Sequence, residues 1–226
     1  MNFQQRLTRK ITRERLEAFV KQYANDLYTL DLGCANSPYS KYFKNRLGFD
    51  ISDGLGVDVV GDAHNLPFED ETFEQIFCTE VLEHLHTPEL AIKEMYRVLK
   101  PDGNMILTTR FLFPIHDAPH DYYRYTKYGL QHLFRDWENV KIEAEVSTIE
   151  TFAVLFQRIG FQTKLRFNFI SKIVVFLTAR FFQTLNGFVL KEYGNIKKSH
   201  EERTIMTSGY YLVAKKPVSK ITEAAK

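Results

Sequence analysis

Residues 28–38, YTLDLGCANSP, decide the predicted fold, because a short apolar strand runs there directly into a loop of small residues. In open parallel sheets, ligands bind beyond the carboxyl ends of the strands, where the strand order reverses. Gly33 and Ala35 let a ligand approach the backbone of this loop, and the next helix can present free N–H groups. The stretch therefore predicts a ligand-binding loop at the end of a first strand.

Strand-like and helix-like segments alternate outward from this loop, which predicts a mostly parallel sheet covered by helices. With the first strand at 28–32, we predict further strands at 47–51, 57–61, 73–79, 104–109, 140–146 and 210–214. We predict helices at 13–25, 81–99 and 126–136, and a turn at 101–103. The expected fold class is α/β: a Rossmann-like seven-stranded sheet, with helices on both faces, in a single domain.

The length of 226 residues suits one such domain with an insertion before the last strand. We expect the core at 1–146 and 204–217, an apolar helical insertion at 147–203 and a disordered tail at 218–226. Residues 167–190 are too apolar to face water on every side. They could pack on the same domain and cover its acceptor pocket, form a homodimer interface, or lie on a membrane surface.

Composition narrows the classes of partner and compartment. A net charge of +2 gives no reason to expect nucleic acid as a partner. Cys34 and Cys78 lie in apolar runs, which predicts buried thiols in a reducing compartment. Basic residues between 6 and 13 interrupt any signal-peptide core. We therefore expect a cytoplasmic protein, with peripheral contact at the inner membrane surface as an open alternative.

Acidic residues close three successive strands: Asp50, Asp62 and Glu80. Residues 47–92 contain eleven Asp or Glu and no Lys or Arg, which fits a cationic ligand or, alternatively, a solvated acidic face. Asp50 follows the first loop at the distance where a carboxylate accepts both hydroxyls of a ribose. Asp62 can accept from an adenine amino group. A dinucleotide fits less well because the loop lacks the G-x-G-x-x-G pattern.

Together these motifs resemble the class I S-adenosylmethionine-dependent methyltransferases, and in particular their small-molecule, quinone-biosynthesis-like subgroup. The resemblance covers roughly residues 28–136, and Ala35 and Asn36 stand where the family usually has its second glycine and that glycine's neighbour. The motifs, in chain order, are DLGC at 31–34, GFDI at 48–51, GDA at 61–63 with LPF at 66–68, VLEHL at 81–85 and RVLKPDG at 97–103.

The resemblance implies S-adenosylmethionine as cofactor. It places Gly33 at the methionine part, Asp50 at the ribose, Asp62 and Ala63 around the adenine, and Thr79 with Glu80 on the methyl-transfer side. The whole predicted cofactor set is Asp31, Gly33, Ala35, Asp50, Ile51, Asp62, Ala63, Thr79 and Glu80.

Residues 116–126, HDAPHDYYRYT, follow the fifth strand and are the candidate acceptor loop. A histidine can act as general base at neutral pH, and tyrosine or arginine can bind polar groups of an acceptor. The run resembles that of methyltransferases among bacterial surface-polysaccharide enzymes, which implies a glycan or lipid-linked sugar acceptor. The alternative is a structural loop in which Arg124 pairs with a carboxylate. The predicted catalytic residues are His116, His120 and Asp121, and the predicted acceptor-binding residues are Tyr122, Tyr123 and Arg124.

Glu80, Glu83 and His84 form a second constellation, which at a helix start would share one face as metal ligands could. Some quinone O-methyltransferases have a similar motif with a divalent ion. We favour carboxylates stabilised by the helix dipole, and so predict no metal.

Three functions stay open at this stage. The leading one is an O-methyltransferase of a small hydroxylated or glycan-precursor acceptor. The second is a methyltransferase of membrane quinones or lipids, and the third is a non-catalytic protein that binds the cofactor.

Overall fold

The computed structural model describes residues 3–218, and their side chains from residue 5 onward. Most of the predicted tail, residues 219–226, lies outside the described residues. No helix in the described range is both long and apolar enough to cross a membrane. Cys34 and Cys78 are buried free thiols, as predicted.

Nine strands and six α-helices make up the secondary structure of residues 3–218. The strands are β1 Thr29–Leu32, β2 Arg46–Asp50, β3 Val59–Val60, β4 Phe73–Thr79, β5 Leu99–Arg110, β6 Glu138–Ala144, β7 Glu192–Tyr193, β8 Glu201–Glu202 and β9 Gly209–Lys215. The helices are α1 Phe3–Thr8, α2 Ile11–Lys21, α3 Pro88–Val98, α4 Lys127–Leu133, α5 Thr148–Gln162 and α6 Asn168–Thr184. Short 3₁₀ helices lie at Ser40–Tyr42 and Leu82–His84.

Seven of the strands form one sheet in the order β3-β2-β1-β4-β5-β9-β6. β1 pairs in parallel with both β2 and β4, so the strand order reverses on the two sides of β1. β9 runs antiparallel to β5, because Asp102 and Gly103 bond with Lys216 whereas Phe111 bonds with Ser208. The predicted Rossmann-like, mostly parallel sheet is confirmed.

The chain divides into two compact units. Among the described residues, the sheet unit comprises Val20–Arg110, Asp117–Glu143 and 211–218. The helical unit comprises residues 3–19, Phe111–His116 and Ala144–Tyr210. The predicted insertion at 147–203 thus falls in the helical unit, together with α1 and most of α2.

Burial in the sheet unit follows the sequence pattern. All four residues of β1 are buried, as expected for a strand with neighbours on both edges. α3 buries one face through Ala91, Ile92, Met95 and Val98, whose spacings of one, three and three residues place them on the same side of the helix.

The predicted continuous helix at 81–99 is wrong. The chain forms a 3₁₀ helix at Leu82–His84 and starts α3 only at Pro88. Proline suits the first turn of a helix but disfavours helical backbone at the residue before it, so the two helical segments stay separate.

The start of the fifth strand also differs from the prediction. β5 begins at Leu99, which pairs with Phe73, and the next pair along is Gln75 with Asn104. The turn predicted at 101–103 is instead a bulge within this strand, where Asp102 has a φ of 59°. The predicted helix at 126–136 is shorter, but its cap is confirmed: Thr126 Oγ1 accepts from the Gly129 amide at 3.0 Å.

Arg97 holds the segment that follows β3 against α3. Its guanidinium donates to the backbone carbonyls of Leu66 at 3.0 Å and Phe68 at 2.7 Å. It also donates to Asp70 and, through two nitrogens, to Glu94. These are five donated bonds, the full capacity of an arginine. Arg97 of the RVLKPDG motif therefore binds the LPF motif directly through its backbone carbonyls.

Replacement of Arg97 by lysine should be destabilising. Lysine offers three donors without the planar fork, so backbone carbonyls lose partners, and we expect the free energy of unfolding to fall by about 2 kcal/mol. Urea denaturation measures this change. Arg135→Lys is the matched control, since Arg135 is 59% exposed and pairs loosely with Asp136. Equal stability of the two variants would contradict the role of Arg97.

Candidate cofactor and acceptor site

Gly33 forms the sharp turn at the end of β1. Its φ is +75°, a left-handed conformation that favours glycine. Its amide donates to the Phe49 carbonyl at 2.8 Å, and a Cβ at this position would overlap Cγ2 of Val81. Both the turn and the close approach of Val81 require glycine here.

Asn36 explains how the loop tolerates its departure from the family pattern. Its φ is 57°, which asparagine adopts more readily than most residues. Its amide donates to the Leu55 carbonyl at 3.0 Å, while the Ala35 amide donates to Oδ2 of Asp50 at 3.0 Å. The loop therefore closes without a second glycine at this point.

Asp50 lies at the end of β2, where the first loop and the next one meet. Besides the bond from Ala35, its carboxylate accepts from the Ser52 amide at 3.2 Å. Gly48, in the same motif, needs to be glycine because a Cβ there would overlap the Gly56 carbonyl oxygen. The motif thus fixes a half-buried carboxylate at the edge of the sheet.

Asp62 follows β3 and is more open, with 54% of its side chain exposed. Its Oδ1 accepts from the His64 amide at 2.9 Å and lies 2.6 Å from His64 Nδ1. These bonds, led by the one from the backbone amide, lower the pKa of the Asp62 carboxyl. Asp62 is therefore an anion with an exposed surface, as is required of a carboxylate that accepts a hydrogen bond from the adenine amino group. Ala63 beside it is buried.

Asp31 and Glu80 are engaged inside the protein. Asp31 is buried, accepts from the Ser40 hydroxyl at 2.7 Å and lies 3.5 Å from Arg46, and burial raises the pKa of its carboxyl. Glu80 accepts from the Thr108 hydroxyl at 2.9 Å and forms an ion pair with Arg110. Both carboxylates have structural partners, and their predicted cofactor contacts remain predictions.

The residues present fit S-adenosylmethionine. Beside Asp50, Ile51 is 71% exposed and Leu55 is 81% exposed, an unusual exposure that a flat aromatic base would cover. The carboxylates of Asp50 and Asp62 complement a ligand that carries positive charge and hydroxyl donors. The small loop at Gly33 leaves the backbone accessible.

The acceptor loop is pinned to the segment after β4. The Tyr122 and Tyr123 amides both donate to the Glu83 carbonyl, at 2.9 and 3.1 Å. Nδ1 of His84 lies 2.7 Å from the His120 carbonyl oxygen. Tyr122 and Tyr123 are 46% and 41% exposed, and His120 is exposed as well. The loop therefore presents an imidazole and two phenols to solvent from an anchored backbone.

Asp121 and Arg124 form an ion pair, as expected if the acceptor loop is a structural loop in which Arg124 pairs with a carboxylate. Both guanidinium NH groups of Arg124 donate to the carboxylate, at 2.5 and 2.8 Å, and only 2% of the Asp121 side chain is exposed. The Asp121 carboxylate is thus buried and paired, and its predicted catalytic role remains a prediction. His116 falls in the helical unit, where its ring meets Phe113 edge to face at 5.2 Å.

Of the candidate metal ligands Glu80, Glu83 and His84, the two carboxylates lie in different environments. Glu80 is bound by Arg110, and Glu83 is fully buried and accepts from the Thr109 hydroxyl at 2.8 Å. Burial raises the pKa of the Glu83 carboxyl. Neither carboxylate sits at the start of an α-helix, since this segment is a 3₁₀ helix.

A pair of stacked histidines was not predicted from the sequence. The rings of His64 and His86 lie 4.2 Å apart at an angle of 17°, and His86 meets Tyr122 edge to face at 6.3 Å. Arg110, the partner of Glu80, was not predicted either. The position of Arg110 at the end of the fifth strand, on the same edge as Glu80, was the signal that could have found it.

Comparison with known proteins gives the class of this domain. Residues 18–107 match the family model described as a methyltransferase domain. A demethylmenaquinone methyltransferase of Paenarthrobacter aurescens is 30% identical over 122 residues, which is 50% of this chain and 47% of that protein. A tRNA (carboxymethyluridine(34)-5-O)-methyltransferase of Arabidopsis thaliana is 34% identical over 110 residues, 42% of this chain and 26% of that protein. The chain thus spans about half the length, or less, of these two relatives.

A solved structure supports the fold. A SAM-dependent methyltransferase from Archaeoglobus fulgidus matches with a TM-score of 0.55 at 18% identity, over 90% of this chain and 94% of that one. Residues 18–107 therefore carry a methyltransferase domain, and the sheet has the fold of class I S-adenosylmethionine-dependent methyltransferases. The predicted cofactor is the one that this class uses.

Replacement of Gly33 by alanine should weaken cofactor binding, because the new methyl group overlaps Val81 and the backbone at +75° is strained. We expect a loss of S-adenosylmethionine affinity of roughly tenfold or more, equivalent to about 1.4 kcal/mol. Isothermal calorimetry measures it.

The double variant Gly33→Ala with Val81→Ala separates the two causes. Removal of the Val81 methyl groups relieves the overlap but not the strained φ, so part of the affinity should return. A Gly33→Ala variant that binds as tightly as the natural chain would contradict the account of this loop.

Proposed function

We propose that this chain is an O-methyltransferase that transfers a methyl group from S-adenosylmethionine to a hydroxyl of a small hydroxylated or glycan-precursor acceptor. Exposed aromatic rings and a histidine, rather than a cationic surface, form the acceptor loop, which favours a polar small molecule or sugar. The near-neutral net charge of the chain argues in the same direction against nucleic acid.

One observation carries the proposal: a chain of contacts within the sheet unit links Asp62 to the acceptor loop. Asp62 meets His64 at 2.6 Å, and the His64 ring stacks on His86 at 4.2 Å. His86 meets Tyr122, whose hydroxyl lies 3.3 Å from Nδ1 of His120. The acceptor loop is thus built onto the same edge of the sheet as the carboxylate that we assign to adenine.

The cofactor, when bound, supplies an electrophilic methyl group on a sulfonium. The acceptor oxygen forms the new bond to carbon, the carbon–sulfur electron pair goes to sulfur, and the hydroxyl proton must leave. His120 is the residue that we assign to take this proton, because its side chain is exposed and an imidazole can act as a general base. Its Nδ1 faces the Tyr122 hydroxyl, so Nε2 is the nitrogen assigned to the acceptor.

The other loop residues have supporting roles in this proposal. Tyr122 and Tyr123 bind the acceptor through exposed phenols. Asp121 and Arg124 act as positioning residues, since their ion pair fixes the loop that carries His120. His116, which the structure places in the helical unit, has no role in the proposed step.

A specific observation favours one second candidate: the similarity to a demethylmenaquinone methyltransferase supports a quinone-type acceptor. A methyl ether on a sugar partitions into water, whereas a methylated quinone or lipid partitions into organic solvent. The same experiment therefore distinguishes the two candidates.

The test is transfer of labelled methyl groups from S-adenosylmethionine into fractions of a cell extract. We expect label in a low-molecular-weight or glycan fraction, stable to mild base as a methyl ether is. Label in the organic phase would favour the quinone or lipid candidate. Label in RNA, or label released by mild base as methanol, would contradict the proposal.

His120→Ala should lower turnover by roughly 10²–10⁴-fold while S-adenosylmethionine affinity stays nearly unchanged. His132→Ala is the matched control, because His132 is also an exposed histidine but lies on α4. Equal turnover of the two variants would remove His120 from the mechanism. A loss of cofactor binding together with turnover in His120→Ala would show a structural role instead.

A further inference from the structure

Helix α6 of the helical unit presents a line of apolar side chains to solvent. Ile170, Val174, Leu177 and Phe181 are 67%, 55%, 49% and 58% exposed. Their spacing of four, three and four residues places them on one face of the helix. We call these four residues the apolar stripe.

The opposite face of α6 is packed, so the stripe does not result from a loosely held helix. Phe176 and Ala179 are buried, and Gly160 on α5 leaves the space that the Phe176 ring occupies. The Phe182 ring stacks on Phe156 at 5.6 Å. Two further bonds fix the rotation of α6, because Arg180 donates to the Arg6 and Arg9 carbonyls at 2.6 and 2.9 Å.

Exposed apolar residues also lie before and after the stripe in the chain. Phe167 and Phe169 are 72% and 77% exposed, and Phe188 and Leu190 are 78% and 92% exposed. Scattered apolar residues on a surface need no explanation, but eight exposed apolar residues between Phe167 and Leu190 are typical of an interaction site.

The charge around the stripe has a single sign. Residues 151–191 contain no Asp or Glu and six Lys or Arg. Lys164 and Arg166 are exposed just before α6, whereas Lys191, which follows α6, pairs with Glu201 at 3.5 Å. Since Arg180 and Lys191 both have partners within the unit, the outward charge comes from Lys164, Arg166 and Lys172.

We propose that the apolar stripe docks on the surface of an anionic phospholipid bilayer. Exposed aromatic and aliphatic residues would enter the boundary between head groups and acyl chains, and the flanking cations would pair with anionic head groups. A second copy of the chain is the poorer occupant. It would bring one such segment against another, with cations on both sides and no carboxylate in either segment to pair with them.

This proposal does not rest on the proposed methyl acceptor. Membrane binding is measured without cofactor, acceptor or turnover, so its failure and the failure of the proposed function are separate outcomes.

The test is co-sedimentation of the full chain with vesicles of phosphatidylcholine alone and of phosphatidylcholine mixed with phosphatidylglycerol. We expect binding to the mixed vesicles at low salt, weaker binding at high salt, and little binding to phosphatidylcholine alone. The double variant Leu177→Gln with Phe181→Gln should lower the partition by roughly tenfold or more. Lys164→Gln with Arg166→Gln should lower it by a similar factor.

Leu90→Gln is the matched control, because Leu90 is an apolar residue on α3 that is 44% exposed. It should bind vesicles like the natural chain. All substituted side chains are exposed, and circular dichroism with the thermal midpoint verifies that each variant folds.

Absence of binding to anionic vesicles would overturn the proposal, as would equal binding of the stripe variant and the Leu90 control. Sedimentation equilibrium tests the other occupant directly. A stable dimer of the natural chain that the stripe variant converts to a monomer would assign the surface to a second copy instead.

Discussion

Parallel pairing of β1 with both of its neighbours is the constraint on which the site depends. Leu32 lies opposite Phe49 in β2 and opposite Cys78 in β4, so three strands end at one level. The loops that follow these strands therefore emerge at the same edge of the sheet. The strand order reverses at this place, and the crevice that results is where parallel sheets bind ligands.

Three aspartates at this edge differ in their surroundings. The differences distinguish a carboxylate that stabilises the protein from carboxylates that a ligand can reach. Asp31 is buried between Ser40 and Arg46 and acts inside the protein. Asp50 is half buried and joins the first two loops through its bond from Ala35. Asp62 is the most open and has its pKa lowered by His64. The carboxylates thus become more available to a ligand from the first strand to the third.

Local sequence signals predicted the strands, Asp50 and Asp62, because a strand end and the turn after it are encoded within a few residues. The break before α3 was also encoded, in Pro88, and the continuous helix was predicted only because apolar spacing outweighed it. Partners far apart in sequence were not predictable. The ion pair of Arg15 with Glu150 joins residues 135 positions apart, and no local pattern groups the N-terminal helices with residues 144–210.

Calorimetric titration of the natural chain and of Asp50→Ala with S-adenosylmethionine tests the central claim most directly. Asp53→Ala is the control, since Asp53 is an exposed carboxylate three residues away that bonds only the Gly54 amide among its described contacts. The account predicts binding by the natural chain and by Asp53→Ala, and a loss of about 1.5–3 kcal/mol in Asp50→Ala, where a charge-assisted ribose contact is missing. A natural chain that does not bind S-adenosylmethionine, or an Asp50→Ala variant with unchanged affinity, would contradict it.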